Sequence, residues 1–60
     1  MEWQEWIGRK VFIKLIDGTV FTFSTIVSFD EPFLTITDKF GKQVSINTNN
    51  ISRMREEGSE

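Results

Sequence analysis

The sequence predicts an all-β fold, a small five-stranded, strongly bent antiparallel barrel with a short N-terminal helical turn. Three observations lead to this fold class. Most of the chain alternates apolar and polar residues with a period of two, as half-buried strands do. Asp17-Gly18 joins two such runs and indicates a hairpin, because a type I′ turn needs positive φ at both central residues. The run over 19–29 is about twice the usual strand length, so it must bend.

Length and composition limit the chain to one small domain. A chain of 60 residues buries only about 60% of the surface that it exposes when unfolded. Cys is absent, so the chain has no disulfide framework and no thiolate metal site. His is absent as well, and His is both the commonest metal ligand and the commonest general base. Oligomerisation is then the usual way to stabilise so small a core. We divide the chain into a single barrel domain, 1–56, and a flexible acidic tail, 57–60.

The charge balance is close to neutral. Seven Lys and Arg against nine Asp and Glu give a net charge of −2, which argues against the broad positive field of a nonspecific nucleic-acid binder. Local basic patches remain possible. No uncharged stretch approaches the ~18 residues needed to span a bilayer, and the acidic N-terminus lacks the basic flank of a signal peptide. We therefore expect a soluble cytoplasmic protein with no cofactor and no membrane partner.

The first element is predicted to be a single helical turn over residues 1–7. Trp3, Trp6 and Ile7 fall at i, i+3 and i+4 and would share one face, with Gly8 ending the turn. A helix this short is not stable alone. Its two indoles must pack either on an open end of the barrel or against a neighbouring subunit, and packing is favoured over ligand binding for this pair.

The first strand is predicted over residues 9–16. Its inward residues are Val11, Ile13 and Leu15. On the outer side Lys10 and Lys14 bracket Phe12, an arrangement able to stack a base while pairing with its phosphates. The ordinary alternative is favoured, in which the lysines face solvent and the N-terminal turn covers the ring.

The second strand is predicted over residues 19–29. One face carries Phe21, Phe23, Val27 and Phe29, and the other carries Thr22, Ser24 and Ser28. The alternation falters between Ser24 and Ile26, where we place a bend or bulge. One long curved strand would then serve both layers of a small closed barrel.

The middle of the chain continues the meander. Asp30-Glu31-Pro32 predicts a tight turn, because Pro fixes φ and cannot donate a ladder hydrogen bond. A third strand over 33–38 and a fourth over 43–47 are joined by a hairpin in which Gly41 supplies a positive φ. The inward residues of these two strands are Leu34, Ile36, Val44 and Ile46.

The end of the chain is predicted to hold a turn and a short last strand. The polar run Asn47 to Asn50 suits a tight turn, because Asn tolerates the left-handed conformation and bonds its own backbone. Ile51 and Met54 are three apart, which predicts a 3₁₀ turn leading into a strand that ends near Arg55.

Together these residues resemble the Sm-like (LSm) family of small β-barrels, and the resemblance covers residues 6–54. The first Sm motif is matched by a glycine, alternating aliphatics, Asp-Gly, aromatics and strand-ending acids at Gly8, Val11, Leu15, Asp17, Gly18, Phe21, Phe29, Asp30, Phe33, Ile36 and Asp38. The second motif would stand at residues 46–51. The resemblance implies rings of six or seven subunits, in which the fourth strand of one protomer pairs with the fifth of the next. It also implies binding of single-stranded RNA, often uridine-rich, at the inner rim.

The sequence departs from the family pattern at three places. Leu34 stands where the family has the Asn that reads a base, and Asn47-Thr48 replaces an Arg-Gly pair. Both changes remove groups that contact nucleic acid. The glycine expected in the middle of the second strand is replaced by Phe23 or Ser24, a change that bears on curvature.

Three groups of side chains are expected to bind RNA if RNA is the ligand. They are Asn47, Asn49 and Asn50 for hydrogen bonds to base or sugar, Phe33 or Phe40 for stacking, and Lys39, Lys42, Arg53 and Arg55 for phosphates. Each group has an ordinary alternative, since Asn-rich turns are often only turns, Phe33 would suit the core, and scattered cations keep a protein soluble.

We therefore expect a non-enzymatic Sm-like protein that forms an oligomeric ring, a hexamer or heptamer, and binds single-stranded RNA. The alternative is a small protein–protein interaction or assembly module that uses the same barrel without RNA binding. An enzyme is not expected, because no nucleophile–base pair can be drawn without His or Cys.

Overall fold

The computed structural model of the chain describes residues 2–57; Met1 and residues 58–60, which include most of the predicted tail, lie outside this range. The described chain contains five antiparallel strands in one sheet and two short 3₁₀ turns. In chain order these are the N-terminal turn Trp3–Trp6, β1 Lys10–Leu15, β2 Val20–Asp30, β3 Phe33–Thr37, β4 Gln43–Asn47, the β4–β5 turn Thr48–Asn50, and β5 Ile51–Glu56. The predicted all-β class is confirmed.

The strands are arranged in the order β4-β3-β2-β1-β5. Every neighbouring pair is antiparallel, and the sheet is open, with β4 and β5 at its two edges. The long strand β2 serves both halves, because Val20–Thr25 pairs with β1 while Thr25–Asp30 pairs with β3. The prediction of one bent strand shared by two parts of the sheet is confirmed. The prediction of a closed barrel is wrong, because β4 and β5 do not pair with each other and the sheet of the described chain stays open.

Two irregularities in β2 produce the bend. Phe23 has a φ of +50° and lies where the β1–β2 register shifts, and Val27 is an extra residue between the pairs that Ile26 and Ser28 make with β3. These positions flank the predicted bend. The two faces predicted for the middle of β2 are wrong, because each bulge moves the following side chains to the other side of the strand. Ser24 and Ile26 are fully buried, whereas Phe23 and Val27 are 50% and 39% exposed.

The core lies on the inner side of the bent sheet. Its buried apolar residues are Val11, Ile13, Ile26, Leu34, Ile36 and Ile46, with Leu15 and Val44 half-buried against them. The inward residues predicted for β1, β3 and β4 are therefore confirmed. Alternation gave the correct inward residues because β1, β3 and β4 contain no bulge between those residues, so every second side chain faces the core.

The N-terminal turn packs on its own protomer. Both indoles contact the core, and the ring of Trp3 stacks on that of Phe29 with centroids 5.8 Å apart. Ile7 is 42% exposed, so its predicted place on the packed face is wrong. After the turn, the Gly8 N–H donates to the Ile26 carbonyl over 2.7 Å, which ties the entry to β1 against the bend in β2.

The β1–β2 connection is a hairpin, but its turn differs from the predicted type I′ turn. The Leu15 N–H donates to the Thr19 carbonyl at 2.8 Å, which leaves three residues in the loop. Gly18 has a φ of +96°, while Asp17 keeps a negative φ. A three-residue loop needs only one left-handed residue, and Gly18 supplies it. Gly41 likewise has a positive φ in the β3–β4 hairpin, as predicted.

The last part of the chain differs from the prediction in where the 3₁₀ turn lies. The turn falls on Thr48–Asn50, because the Asn47 side chain accepts a hydrogen bond from the Asn49 N–H at 2.9 Å and caps it. Ile51 and Met54 belong to β5 instead. Lys14 pairs with Arg53 and Leu15 with Ile51, so Ser52 is an extra residue, a bulge, in β5. Because of this bulge, Ile51 and Met54 both face the core although they are three residues apart.

Glu57 extends this end of the chain beyond β5. Its N–H donates to the Lys10 carbonyl at 2.8 Å, and its carboxylate accepts from the Phe23 N–H at 3.0 Å. The first residue of the predicted tail is thus hydrogen-bonded to both β1 and β2.

Candidate nucleic-acid interface

One end of the sheet brings an aromatic ring and several amides together. The Thr48 N–H donates to the Pro32 carbonyl at 2.8 Å, so the β2–β3 and β4–β5 turns lie side by side. Phe33 is the direct strand partner of Asn47. We call this place the turn end and define it by Phe33, Asn47, Asn49 and Asn50. Four of the predicted RNA-binding residues are therefore neighbours.

The groups at the turn end differ in what they can offer a ligand. Asn47 uses its side-chain oxygen to cap the 3₁₀ turn, whereas the side chains of Asn49 and Asn50 are exposed. Phe33 is 50% exposed, so its ring is not a core residue and has a free face for stacking. Leu34 is fully buried and cannot contact a base. The turn end thus offers a half-exposed ring and two exposed amides.

The predicted cations of the β3–β4 hairpin are not part of the turn end. The β3–β4 ladder has five residue pairs, from Phe33–Asn47 at one end to Thr37–Gln43 at the other. These two end pairs are about 14 Å apart along the strands. Lys39 and Lys42 lie beyond the Thr37–Gln43 pair. Phe40 is 77% exposed, with the Lys39 ammonium 5.4 Å from the centre of its ring. The structure therefore separates Lys39, Phe40 and Lys42 from the amides.

The two arginines of β5 lie on a third surface. Arg53 and Arg55 are the direct partners of Lys14 and Phe12 on β1, and cross-strand partners share a face of the sheet. Lys10 joins them, because residues two apart on a strand point the same way. We call this outer surface the basic face, defined by Lys10, Phe12, Lys14, Arg53 and Arg55. All four cations are exposed and Phe12 is half-buried.

Arg55, rather than the N-terminal turn, lies over the aromatic ring of the basic face. Its guanidinium carbon is 4.7 Å from the centre of the Phe12 ring, within cation–π range. The sequence pattern predicted Lys10, Phe12 and Lys14 as one group, and it predicted Arg53 and Arg55 as members of another. Their meeting depends on the pairing of β1 with β5, a long-range contact that no local pattern reveals.

Carboxylates are distributed unevenly around these surfaces. Among residues 2–57 the ion pair formed is Arg9 with Glu56 at 3.6 Å, and it lies outside the basic face. The groove next to the turn end is lined by Glu2 and Glu31 together with Trp3 and Phe29. Cations therefore dominate the outer face of β1 and β5, while acids lie near the turn end.

Within residues 2–57, a hydrogen bond shifts the pKa of one carboxyl. Asp17 accepts a hydrogen bond from the Thr19 backbone N–H at 2.9 Å, and this bond lowers the pKa of the Asp17 carboxyl below its ordinary value of 3.8. That bond closes the β1–β2 hairpin. The described residues include no cluster of three or more acidic, His or Cys side chains that could hold a metal ion. None of the helical segments in 2–57 has the length and apolar character needed to cross a bilayer.

Comparisons with models of known protein families, with curated proteins and with solved structures found no match for this chain.

Proposed function

We propose that this chain is a non-enzymatic Sm-like protein that assembles into an oligomeric ring and binds single-stranded RNA. The observation that carries the proposal is the strand order, which leaves β4 and β5 as two different edges of one bent sheet. The β4 edge of one copy can pair with the β5 edge of the next, which is a head-to-tail contact. Such contacts form a closed ring when the rotation from one subunit to the next adds up to a full turn. Pairing would also cover edges that otherwise invite uncontrolled association.

Hydrogen-bond alternation identifies the backbone groups available on each edge. The bonds from Asp38 N–H to Lys42 and from Thr48 N–H to Pro32 mark the two ends of the β3–β4 ladder. Between them, alternation turns the backbone of Ser45 away from β3 and towards the free edge. On β5, the bond from Glu57 N–H to Lys10 likewise leaves the backbone groups of Met54 and Glu56 facing outward. Both edges thus have free donors and acceptors for a partner strand.

The bend in β2 supports the same proposal. Phe23 stands at one of the two positions where the family resemblance expects a glycine, and its φ of +50° is a conformation that glycine adopts at little cost. Within residues 2–57 it is the only non-glycine residue with positive φ. The chain therefore makes a sharp mid-strand bend without the residue that usually permits it.

The turn end is the place where we expect an unpaired base to bind. Phe33 offers a half-exposed ring, and the Asn49 and Asn50 amides offer both donors and acceptors. Single-stranded RNA presents its base faces and edges to groups of this kind, whereas duplex RNA does not. A ring would repeat the turn end once per subunit, so weak contacts at each copy would add through a single strand.

A proline on the edge of β4 tests the assembly. Ser45→Pro removes the outward N–H without breaking a bond to β3, and Ser45→Ala is the matched control that keeps this N–H. By size-exclusion chromatography with light scattering, the wild type and Ser45→Ala should have the mass of a hexamer or heptamer, and Ser45→Pro a smaller one. Equal masses for all three proteins, with Ser45→Pro folded by circular dichroism, would contradict pairing through β4.

A fluorescence titration with a labelled oligouridine tests the RNA site. The wild type should bind at low salt and lose affinity as salt rises, because phosphate contacts release counterions. Asn49→Ala should bind several-fold more weakly, since it removes an exposed amide at the turn end. Gln43→Ala removes an exposed amide at the other end of β4 and serves as the control. Equal affinities of Asn49→Ala and Gln43→Ala would show that the turn end does not bind the RNA.

The second candidate is a protein–protein assembly module. It is favoured by the exposed rings of Phe23, Phe33 and Phe40, since exposed apolar groups often mark protein contacts. This function predicts an oligomer or heteromer with no RNA affinity. The same titration therefore separates the two candidates.

A further inference from the structure

The strongest unexplained feature of the molecule is the concentration of positive charge on one sheet face. Four of the seven cations in a chain of net charge −2 lie on the basic face, at Lys10, Lys14, Arg53 and Arg55. Lys14 and Arg53 are direct cross-strand partners, and like charges in that position destabilise a sheet. Folding alone does not account for such a pair.

Two carboxylates at the end of β5 lie near the basic face, and each already has a partner of its own. Glu56 pairs with Arg9, and Glu57 turns its carboxylate to the Phe23 N–H. Within residues 2–57 no carboxylate lies within 4 Å of a basic-face cation. The repulsion between Lys14 and Arg53 therefore has no internal counterion, and an external anion would relieve it.

We infer that the basic face is a binding surface for single-stranded nucleic acid, separate from the turn end. Lys10 and Lys14 stand on either side of Phe12 and are about 13 Å apart along β1, so a strand lying across the face would meet cations before and after the ring. The Arg55 guanidinium, 4.7 Å from the Phe12 ring centre, is held where a base can stack on it while its N–H groups bind phosphate. Proteins that bind single strands without sequence preference combine aromatic rings with a basic track in this way.

The basic face would bind the same class of ligand as the proposed function, but binding there needs neither the turn end nor assembly. The turn end lies beside the carboxylates of Asp30 and Glu31 and has no cation among its defining residues. The basic face supplies the phosphate contacts that the turn end lacks. In a ring, edge pairing through β5 would leave these side chains free, because they project from the sheet rather than along it.

The decisive comparison is between two double variants of equal net charge. Lys14→Gln with Arg53→Gln neutralises two cations of the basic face, and Lys39→Gln with Lys42→Gln neutralises two on the β3–β4 hairpin. Affinity for a labelled single-stranded oligouridine is measured across a salt series, with the mass of each protein determined on the same sample. The face variant should lose at least tenfold in affinity at low salt, and the slope of log affinity against log salt should fall by about 1.4.

The expected contrast is that the hairpin variant loses much less. Equal losses for the two variants would mean a general charge effect and would overturn the inference, as would a face variant that binds like the wild type. The Asn49→Ala variant tests the turn end separately. If its affinity equals that of the wild type, the turn end is not a site, and the contrast between the two double variants still supports the basic face. A monomeric wild type that still shows the contrast would refute the ring and support the basic face.

Two further measurements separate binding from folding. The face variant should melt at or above the temperature of the wild type, because it removes the repulsion between Lys14 and Arg53. Phe12→Leu keeps an apolar side chain but removes the ring under Arg55, and it should lower affinity for the single strand by about tenfold. Unchanged affinity in a folded Phe12→Leu protein would rule out stacking on this face. Equal affinity for a duplex of the same length would do so as well.

Discussion

The backbone N–H of Phe23 donates to the carboxylate of Glu57 at 3.0 Å, although the two residues are 34 positions apart. Phe23 holds the left-handed conformation at the bend of β2, and Glu57 follows the last residue of β5. The bond therefore fixes the bend and the end of the described chain to each other. It also occupies a carboxylate that lies next to Lys10 in the β1–β5 pairing.

Removing that carboxylate is expected to destabilise the fold modestly. Glu57→Ala leaves the Phe23 N–H without its partner and should cost roughly 0.5–1.5 kcal/mol, the usual range for one hydrogen bond. Glu57→Gln keeps an acceptor and should cost less. Urea unfolding followed by tryptophan fluorescence measures both. If the two variants lose equal stability, the hydrogen bond does not contribute and the negative charge of Glu57 does.

The strain at Phe23 can be tested by two substitutions that both remove the ring. Asn tolerates positive φ, whereas the β-branched side chain of Val is strongly disfavoured there. Phe23→Val should therefore be about 1–2 kcal/mol less stable than Phe23→Asn. Thermal and urea unfolding of the two variants give the difference. A Val variant as stable as the Asn variant would show that the backbone at residue 23 relaxes out of the left-handed region.

Asp38 organises the β3–β4 hairpin through two backbone bonds. One of its carboxylate oxygens accepts from the N–H groups of Phe40 and Lys42, each at 2.9 Å. Asp38→Ala removes both bonds and should destabilise the protein by about 1–2 kcal/mol. Asp38→Asn retains an acceptor oxygen and should retain most of that stability. If both substitutions have the same effect on the urea midpoint, the two bonds do not hold the hairpin.

The hairpin at Asp17 predicts a pH dependence of stability. The hydrogen bond from Thr19 holds the pKa of the folded Asp17 carboxyl below its ordinary value of 3.8, which the unfolded chain retains. The stabilisation is therefore complete above that ordinary pKa and is lost as the pH falls through the lower, folded pKa. Asp17→Asn should flatten the stability profile in this acidic range. Urea midpoints from about pH 6 to about pH 2 measure it, and parallel profiles for the two proteins would contradict this role.

Local sequence patterns were sufficient to predict most of the strands. The bounds predicted for β1 to β4 agree with the structure to within one residue at each end. Alternation, Asp17-Gly18 and Gly41 are all local signals, and each acts on the backbone where it stands. The buried residues of β1, β3 and β4 follow directly from those strand bounds.

Bulges and long-range contacts were not predictable in the same way. The side-chain faces of β2 change at Phe23 and Val27, and Ser52 realigns β5, yet none of these three has a residue type typical of a bulge. The candidate sites have the same limit. The sequence identified Phe12 and Arg55 as separate candidates, and only the β1–β5 pairing brings them together. It also grouped the hairpin cations with the turn-end amides, which the length of the β3–β4 ladder separates.

We propose that the free edges of β4 and β5 join copies of this chain into a ring. The most direct test is the solution mass of the wild-type protein, measured by light scattering on the peak from size-exclusion chromatography over a range of concentrations. We expect one species with the mass of a hexamer or heptamer, constant across that range. A monomer or dimer at every concentration would contradict ring assembly and would leave a bent five-stranded sheet whose edges do not form a ring.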